Sequence, residues 1–251
     1  MLLGYSSPAF APPEGTPVRF ETISKPGGVR LLARLSGPLA AEYRDAVVSV
    51  VPRVEENLTR AVVAERVALR HSTAGGPRIV ATDLRTARAH ARARATRLAR
   101  RRPGPVILAD VRSCYASIEP GVVERRLRLL GCAEDASIVR ALLERLSELG
   151  VRGLPVGPRA SAVLANAVLA RVDEEIAGVG ALHLRWVDDV AVFPGDRDPE
   201  RVLDRVAEAL HHLGLSLAAE KCAIGTLEAT RFGRSLSRRA PAPPHLGASL
   251  G

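Results

Sequence analysis

Apolar and polar residues alternate along residues 182–186, and apolar residues resume after Asp189, a period that predicts two β-strands joined in a hairpin. Two adjacent aspartates, Asp188 and Asp189, fall where this hairpin would turn. Upstream, residues 106–108 form a short apolar run typical of a buried strand, and Asp110 follows it closely. The hydropathy pattern therefore predicts three carboxylates at the ends of neighbouring strands.

Elsewhere, apolar residues recur every three or four positions, which predicts helices. The helices predicted in this way cover residues 39–54, 55–69, 121–130, 135–149, a segment after residue 161, and 202–213. A last short strand is expected at 215–218. From Asp110 onward, the order strand, helix, hairpin, helix, strand is a split β-α-β arrangement, which would bring Asp110 next to the hairpin.

The composition is that of a globular protein with an excess of positive charge. The 251 residues are 47% apolar and 25% charged, which suits one sizeable core or two small lobes. Basic residues number 36 against 27 acidic ones, and the net charge of +9 points to a polyanionic partner. No apolar stretch reaches 18 residues, and the three scattered cysteines suggest reduced thiols, so we expect a cytoplasmic protein with no membrane partner.

Much of the positive charge lies in residues 78–102, which hold nine arginines and one acid, Asp83, interleaved with alanine. Alanine and arginine are good helix formers, so a helix is predicted here. Arg85, Arg88 and Arg92 recur at helical spacing, and few large apolar residues would anchor the helix by packing. We interpret these arginines as contacts to nucleic-acid phosphates, and a solvated basic face is the alternative.

Carboxylates held side by side favour a cation between them. Two unit charges ~4 Å apart at an effective dielectric constant of ~20 repel by roughly 4 kcal/mol. Oxygen ligands suit Mg²⁺ or Mn²⁺ better than zinc. Asp110, Asp188 and Asp189 could together hold two such ions, the arrangement that clamps the attacking and leaving oxygens in phosphoryl transfer. A solvated Asp-Asp turn is the alternative.

Six segments of the chain, taken in order, resemble the motifs of reverse transcriptases. Each motif is weak alone, but the ordered set, which spans roughly residues 20 to 235, is specific. The segments are residues 23–30, Asp110 with Tyr115, the Gly-Leu-Pro-x-Gly-x-x-x-Ser segment 153–161, the aromatic-x-Asp-Asp segment 186–189, residues 213–221 ending in lysine, and Phe232-Gly233.

The resemblance implies an α+β fold of the right-hand polymerase type, whose palm is a ferredoxin-like split β-α-β sheet. Fingers would cover residues 18–102 and the palm 103–235, after an irregular lead-in at 1–17. A Pro/Gly-rich tail at 236–251 would leave the thumb absent or minimal. The implied activity is RNA-directed DNA polymerisation from dNTPs on an RNA template and a DNA primer, with two Mg²⁺ ions or Mn²⁺ in their place.

The resemblance also implies roles for single residues. Asp110, Asp188 and Asp189 would bind the metal ions, with the carbonyl of Val111 as a further ligand. Lys221 would protonate the leaving pyrophosphate, and a plain surface lysine is the alternative. The implied nucleotide contacts are Lys25, Arg30, Tyr115 and Gly157, and the further nucleic-acid contacts are Ser161 and Phe232.

Three of these implied contacts have a specific chemical reason. Tyr115 would lie flat under the sugar of the incoming nucleotide, where its ring excludes a 2′-hydroxyl and so selects a dNTP. A buried structural tyrosine is the alternative. Lys25 and Arg30 lie on either side of a predicted hairpin turn at Gly27-Gly28. Both would hold triphosphate oxygens, Lys25 as a point charge and Arg30 as a fork. A structural hairpin without a ligand is the alternative.

The chain departs from the common motifs at two positions. Trp186 stands where the family usually has Tyr or Phe, and Val156 stands where many members carry a Gln that contacts the nucleotide. The Gly-x-Pro-x-Gly-Pro form is nearer to bacterial abortive-infection and defence-associated reverse transcriptases, some of which make DNA without a template or prime from protein. The alternatives are therefore template-independent or protein-primed synthesis and a catalytically silent nucleic-acid-binding module. A structural RNA or protein partner would replace the thumb.

Overall fold

A computed structural model describes residues 17–25, 28–64, 66–72, 75–81 and 83–227 of the chain. Phe232 and the predicted tail at 236–251 lie outside these residues, as does the predicted lead-in up to residue 16. The described part mixes helices and strands, which confirms the predicted α+β class.

The described strands and helices follow one another with short connections. The strands are β1 (Val18–Lys25), β2 (Gly28–Leu35), β3 (Val67–Ser72), β4 (Gly75–Ala81), β5 (Val106–Asp110), β6 (Leu182–Trp186), β7 (Asp189–Phe193) and β8 (Ala223–Gly225). The helices are α1 (Gly37–Val48), α2 (Val51–Asn57), α3 (Leu84–Arg101), α4 (Cys114–Ser117), α5 (Pro120–Leu129), α6 (Ala133–Glu148), α7 (Arg159–Gly178) and α8 (Pro199–His212), and a 3₁₀ turn covers Ala219–Lys221.

A four-stranded antiparallel sheet in the order β6-β7-β5-β8 lies at the centre of the molecule. Helices α4 to α7 lead from β5 to the β6–β7 hairpin, and α8 leads from β7 towards β8, so the predicted split β-α-β arrangement is confirmed. The position of the last strand was predicted wrongly. It lies at 223–225, because residues 215–218 run past the end of β5, where Leu217 forms an isolated bridge to Val111.

Both faces of the sheet are covered. Successive residues of β5 point to opposite faces, and all are buried. Ile107 and Ala109 belong to the large core that includes much of α7, whereas Val106 and Leu108 belong to a second cluster on the other face. The alternation places Asp110 on the face of Val106 and Leu108, at the end of the strand.

Helix α3 lies on this second face. It begins at Leu84 rather than at residue 78, because the carboxylate of Asp83 accepts a hydrogen bond from the Thr86 amide at 2.9 Å and caps the helix. Ala91 and Ala95 are fully buried against the sheet. The expectation that packing would not anchor this helix is therefore wrong, since small side chains let the helix approach the strands closely.

The prediction of a helix at 55–69 is also wrong. Helix α2 ends at Asn57, and the chain returns at Val67 as strand β3, which pairs with β4. Pro52 lies in the first turn of α2, where its missing amide hydrogen is not needed. A short apolar run fits a helix or a strand by periodicity alone, and here pairing with β4 decides it.

Two further expectations can be compared with the structure. Strands β1 and β2 pair from Val18–Leu35 to Lys25–Gly28, which confirms the predicted hairpin. None of the helices in the described ranges is long and apolar enough to cross a membrane.

Candidate active site

Two of the predicted metal ligands face each other across neighbouring strands. Asp110 is the last residue of β5 and Asp189 is the first of β7, and the antiparallel register makes them direct partners. Asp110 is 2% exposed, and the Oδ1 oxygen of Asp189 is buried. Direct partners in an antiparallel pair have Cβ atoms about 4.5–5.5 Å apart, so the register alone concentrates two negative charges at one point.

Asp188 is supplied by the turn between β6 and β7. Val187 and Asp188 form the two-residue loop of this hairpin, because Trp186 pairs with Asp189. Val187 has a left-handed φ of 58°, a strained conformation for a β-branched residue. The Asp188 carbonyl accepts a hydrogen bond from the Val111 amide at 3.3 Å, which holds the turn against the end of β5.

Burial raises the pKa of the half-buried Asp188 carboxyl, and the neighbouring Asp110 carboxylate raises it further. Lys221 and Arg30 act in the opposite direction, so both cations lie within electrostatic reach of Asp188. The structure thus brings Arg30 of the β1–β2 hairpin towards the carboxylates.

Asp188→Asn is expected to stabilise the metal-free protein at pH 7 by about 0.5–2 kcal/mol, the usual range for a stabilising substitution, because it removes a charge that burial and Asp110 disfavour. The folded-state pKa is raised, so ionised Asp188 opposes folding above that pKa, and the penalty disappears as the pH falls to about 4, near the unfolded value. Urea unfolding in EDTA at pH 7 and pH 4 measures both effects. A wild-type chain that is more stable than the variant at pH 7 would contradict this account.

Lys221 forms an ion pair with the buried carboxylate of Asp110. Its Nζ lies 2.7 Å from Asp110 Oδ1 and the lysine side chain is 35% exposed. The amide of Ala218 donates to the Asp110 carbonyl at 2.8 Å, and the 3₁₀ turn that follows carries Lys221 back over the carboxylate. The alternative of a plain surface lysine is therefore wrong.

Lys221→Ala is expected to lower the free energy of unfolding in EDTA by about 1–2 kcal/mol, between the values for exposed and buried ion pairs. The loss follows because Asp110 would keep a buried charge without its lysine. Mg²⁺ should reduce the difference, since a divalent cation neutralises the same carboxylates. Urea unfolding with Lys221→Arg as the charge-preserving control tests this, and equal stability of Lys221→Ala and wild type in EDTA would refute it.

The carboxylates have the chemistry of a magnesium site. Aspartate oxygens are the ligands that hard divalent cations prefer, and Asp110, Asp188 and Asp189 converge at one end of the sheet. Across the described ranges, no group of three or more His, Cys, Asp or Glu side chains is already arranged around a common metal position. Lys221 instead neutralises Asp110, so a metal ion would take over a charge that the lysine now balances.

Tyr115 is held by the Gly-Leu-Pro-x-Gly segment. It is half-buried in the short helix α4, and its carbonyl accepts a hydrogen bond from the Leu154 amide at 2.8 Å. Gly153 has a φ of 61°, and a Cβ there would lie 2.3 Å from the Tyr115 carbonyl oxygen. Glycine is therefore required for the two segments to meet, and their contact fixes the backbone of Tyr115.

The family of the chain follows from comparison with known proteins. A family model described as Reverse transcriptase (RNA-dependent DNA polymerase) matches residues 67–239, more than half of the chain. The chain belongs to the reverse transcriptase family. Members of this family are nucleotidyltransferases, and the split β-α-β sheet that carries Asp110 and Asp189 is the palm of this reverse transcriptase fold.

Solved structures agree in fold. One similar structure is apo telomerase from Candida tropicalis, with a TM-score of 0.51 and 11% identity over 83% of this chain and 43% of that one. Another is the same species' apo telomerase truncated from its C-terminal domain, with a TM-score of 0.50 and 12% identity over 84% of this chain and 50% of that one. The reverse transcriptase chain thus spans half or less of these structures, and the likeness shows the fold alone. A comparison with curated proteins finds no match.

The structure corrects the role predicted for Ser161. Its side chain is fully buried, and its hydroxyl donates to the Pro155 carbonyl at 2.6 Å. The buried hydroxyl of Tyr43 lies 3.0 Å from the same Ser161 oxygen. Ser161 therefore fixes the loop before α7 and has no surface for nucleic acid in this conformation.

The other predicted contacts lie on several different elements of the chain. Gly157 is exposed, with a φ of 129° and no atom within 4 Å of the position that a Cβ would take, which leaves its backbone open to a ligand. Arg85 and Arg92 are exposed on α3, and Arg88 is half-buried. Lys25 is the last residue of β1, and its side chain lies outside the described part of the chain.

The sequence patterns did not predict a buried polar network beneath the hairpin. Arg185 and Asp173 are each 0% exposed and form an ion pair at 2.8 Å. Although burial alone would raise it, the charge of Arg185 and the hydrogen bond of His183 hold the pKa of Asp173 below its ordinary value. His183 and Arg185 alternate with leucines, a pattern that suggests a solvated face. The residue that could have revealed the network was Asp173, an acidic residue that directly follows Val172 in the largely apolar helix α7.

Proposed function

We propose that this chain is an RNA-directed DNA polymerase that adds dNTPs to a primer. The observation that carries the proposal is the cross-strand pair of Asp110 and Asp189, with Asp188 in the adjoining turn, inside a reverse transcriptase palm. Membership of the family supports nucleic-acid binding in general terms. For this chain we propose an RNA template, a DNA primer and dNTP substrates.

We assign the metal-binding role to the three aspartates and to the carbonyl of Val111. Bound Mg²⁺, or Mn²⁺ in its place, would lower the pKa of the attacking hydroxyl and neutralise charge on the triphosphate. Lys221 already lies beside Asp110 and would donate a proton to the leaving pyrophosphate. The raised pKa of Asp188 supports a cationic ligand, because a cation removes the cost of ionising that carboxyl.

We assign the nucleotide to the space between the carboxylates and the β1–β2 hairpin. Arg30 lies within electrostatic reach of Asp188 and would bind triphosphate oxygens together with Lys25. Tyr115, held by Gly153 and Leu154, would exclude a 2′-hydroxyl. The open backbone at Gly157 would line the same space.

We further propose that nucleic acid lies along α3. Arg85, Arg88 and Arg92 would contact phosphates, with Phe232 gripping the primer from the palm. Residues 18–102 would act as fingers and 103–235 as the palm, and a structural RNA or protein partner would supply the function of the thumb. The form of segment 153–158 supports a setting in bacterial antiphage defence.

The test is incorporation of labelled dNTPs by the purified chain with Mg²⁺, with and without an RNA template that carries a DNA primer. The control is the double variant Asp188→Ala/Asp189→Ala. We expect template-dependent product that disappears in the double variant. Product that forms equally without template and disappears in the variant would favour untemplated or protein-primed synthesis, which Val156 already suggests. Product that persists in the variant would overturn the site, and binding without any incorporation would indicate a silent module.

A further inference from the structure

Arg185 is the largest fully buried side chain of the described residues and lies directly beneath the candidate active site. Its Nε is 3.0 Å from Asp173 Oδ1 and its Nη2 is 2.8 Å from Asp173 Oδ2, so the guanidinium fork is matched to the carboxylate of α7. His183 Nε2 lies 3.0 Å from the same Asp173 Oδ1. The charge of Arg185 is therefore fully compensated in the interior.

The remaining nitrogen of the guanidinium reaches the catalytic turn. Nη1 donates to Asn166 Oδ1 at 2.8 Å and to the Val187 carbonyl at 3.1 Å. Val187 immediately precedes Asp188 and has the strained left-handed φ of 58°. A β-branched residue keeps this conformation where the surrounding structure holds it, and the bond from Arg185 is such a restraint.

The backbone of Arg185 is fixed as well. Its amide donates to the Ala61 carbonyl at 2.9 Å, and its carbonyl accepts from the Val63 amide at 3.0 Å. The segment after α2 thus holds one end of the residue, while α7 holds the other. Because both its backbone and its side chain are held, Arg185 fixes the Val187 carbonyl in one position.

We propose that Arg185 is a positioning residue that holds the left-handed turn at Val187 and thereby places Asp188 and Asp189 opposite Asp110. The catalytic consequence rests on the proposed function, whereas the structural one does not. Arg185 itself touches no reacting atom, because it is buried beneath the hairpin.

Arg185→Lys separates charge from geometry. A lysine keeps the positive charge beside Asp173, but a single ammonium cannot serve both that carboxylate and the Val187 carbonyl as the planar fork does. We expect kcat for dNTP addition to fall by about 10- to 100-fold, the range that corresponds to releasing one strained backbone residue. The KM for dNTP should stay unchanged, and half-maximal activity should require a higher Mn²⁺ concentration.

Arg126→Lys is the matched control. Arg126 is also buried, and it also joins a backbone carbonyl to a carboxylate on α7, those of Ala167 and Glu174, but the hydrogen bonds described for it end on α7 and not on the hairpin. This variant should lose less stability, because Glu174 is 41% exposed, while kcat and the Mn²⁺ requirement stay as in wild type. An equal loss of kcat in the two variants would reduce Arg185 to a general stabilising residue and overturn the proposal.

A second substitution tests the turn itself. Glycine adopts a positive φ without strain, so in a Val187→Gly background the turn needs less restraint. The same Arg185→Lys change should then lower kcat by a smaller factor than it does in the wild-type background. An identical factor in both backgrounds would show that Arg185 does not act through Val187.

Hydrogen exchange gives a readout that needs no activity. In metal-free protein, Arg185→Lys should speed amide exchange in a peptide that covers residues 184–192, and Arg126→Lys should not. If the wild-type chain adds no dNTP, the proposed function fails while this measurement still decides the role of Arg185. If Arg185→Lys does not fold, Asn166→Ala removes the acceptor that orients Nη1 and should speed exchange in the same peptide. Unchanged exchange there would overturn the proposal.

Discussion

Asp110→Asn is expected to lower the rate of dNTP incorporation by at least about 10³-fold, because charge stabilisation by a bound metal is worth several kcal/mol and each 1.36 kcal/mol is tenfold in rate. Asparagine keeps the shape of the side chain and removes its charge. Asp110 faces Asp189 across the strands, so the remaining carboxylates would bind a divalent cation more weakly. Single-turnover primer extension over a Mg²⁺ titration measures the loss.

The control for this prediction is Glu220→Gln. Glu220 precedes Lys221 in the 3₁₀ turn, and its exposed carboxylate pairs with Arg112 at 2.8 Å instead of with the buried site. The same change of charge should there leave the rate within a small factor of wild type. Because Asp110 also pairs with Lys221, the thermal midpoint of Asp110→Asn must be measured beside the rate. A folded Asp110→Asn protein with a wild-type rate would exclude the proposed metal site.

The placement of the aspartates could be predicted from the sequence because local patterns determine it. A two-residue period on either side of Asp188 and Asp189 leaves a hairpin as the only short connection, and Asp110 ends a buried apolar run. The pairing of Asp110 with Asp189 then follows from the order of strands and helices. Register is strongly specified here, since a shift of one residue would turn every buried side chain to the opposite face.

The support beneath the aspartates could not be predicted, because it depends on contacts between distant segments. Arg185 in an alternating strand has the pattern of a solvent-facing residue, and its burial follows from α7 packing against that face. The burial of Ser161 could not be predicted for the same reason. Its buried hydroxyl contacts the hydroxyl of Tyr43, which lies 118 residues away along the chain.

The error at residues 55–69 has a different cause. The segment contains both the end of helix α2, at Asn57, and the start of strand β3, at Val67, and apolar spacing is similar in the two. The partner strand β4 contains two glycines, which suggest a turn when the sequence is considered alone. Only the pairing of β3 with β4 distinguishes the two interpretations.

The second large effect is expected at Gly153, where helix α4, which carries Tyr115, meets the Gly-Leu-Pro-x-Gly segment. Gly153→Ala should lower the free energy of unfolding by about 2–5 kcal/mol, from a disfavoured left-handed residue and an overpacked contact. The new Cβ would lie 2.3 Å from the Tyr115 carbonyl oxygen and 2.8 Å from the carbonyl carbon of Ala116. Both are backbone atoms, so no rotamer change relieves the overlap and α4 must move.

Gly214→Ala separates the two causes of this loss. Gly214 has a φ of 71°, close to the 61° of Gly153, but no atom lies within 4 Å of its added Cβ. Gly214→Ala should therefore lower the free energy of unfolding only by the cost of the left-handed conformation, about 1–2 kcal/mol. The variant should keep the wild-type KM for dNTP. Gly153→Ala should also raise the KM for dNTP and weaken discrimination against NTPs, because displacement of α4 moves Tyr115 and breaks its bond to the Leu154 amide. Equal losses of stability in the two variants, with nucleotide selection unchanged in Gly153→Ala, would show that this contact does not position Tyr115.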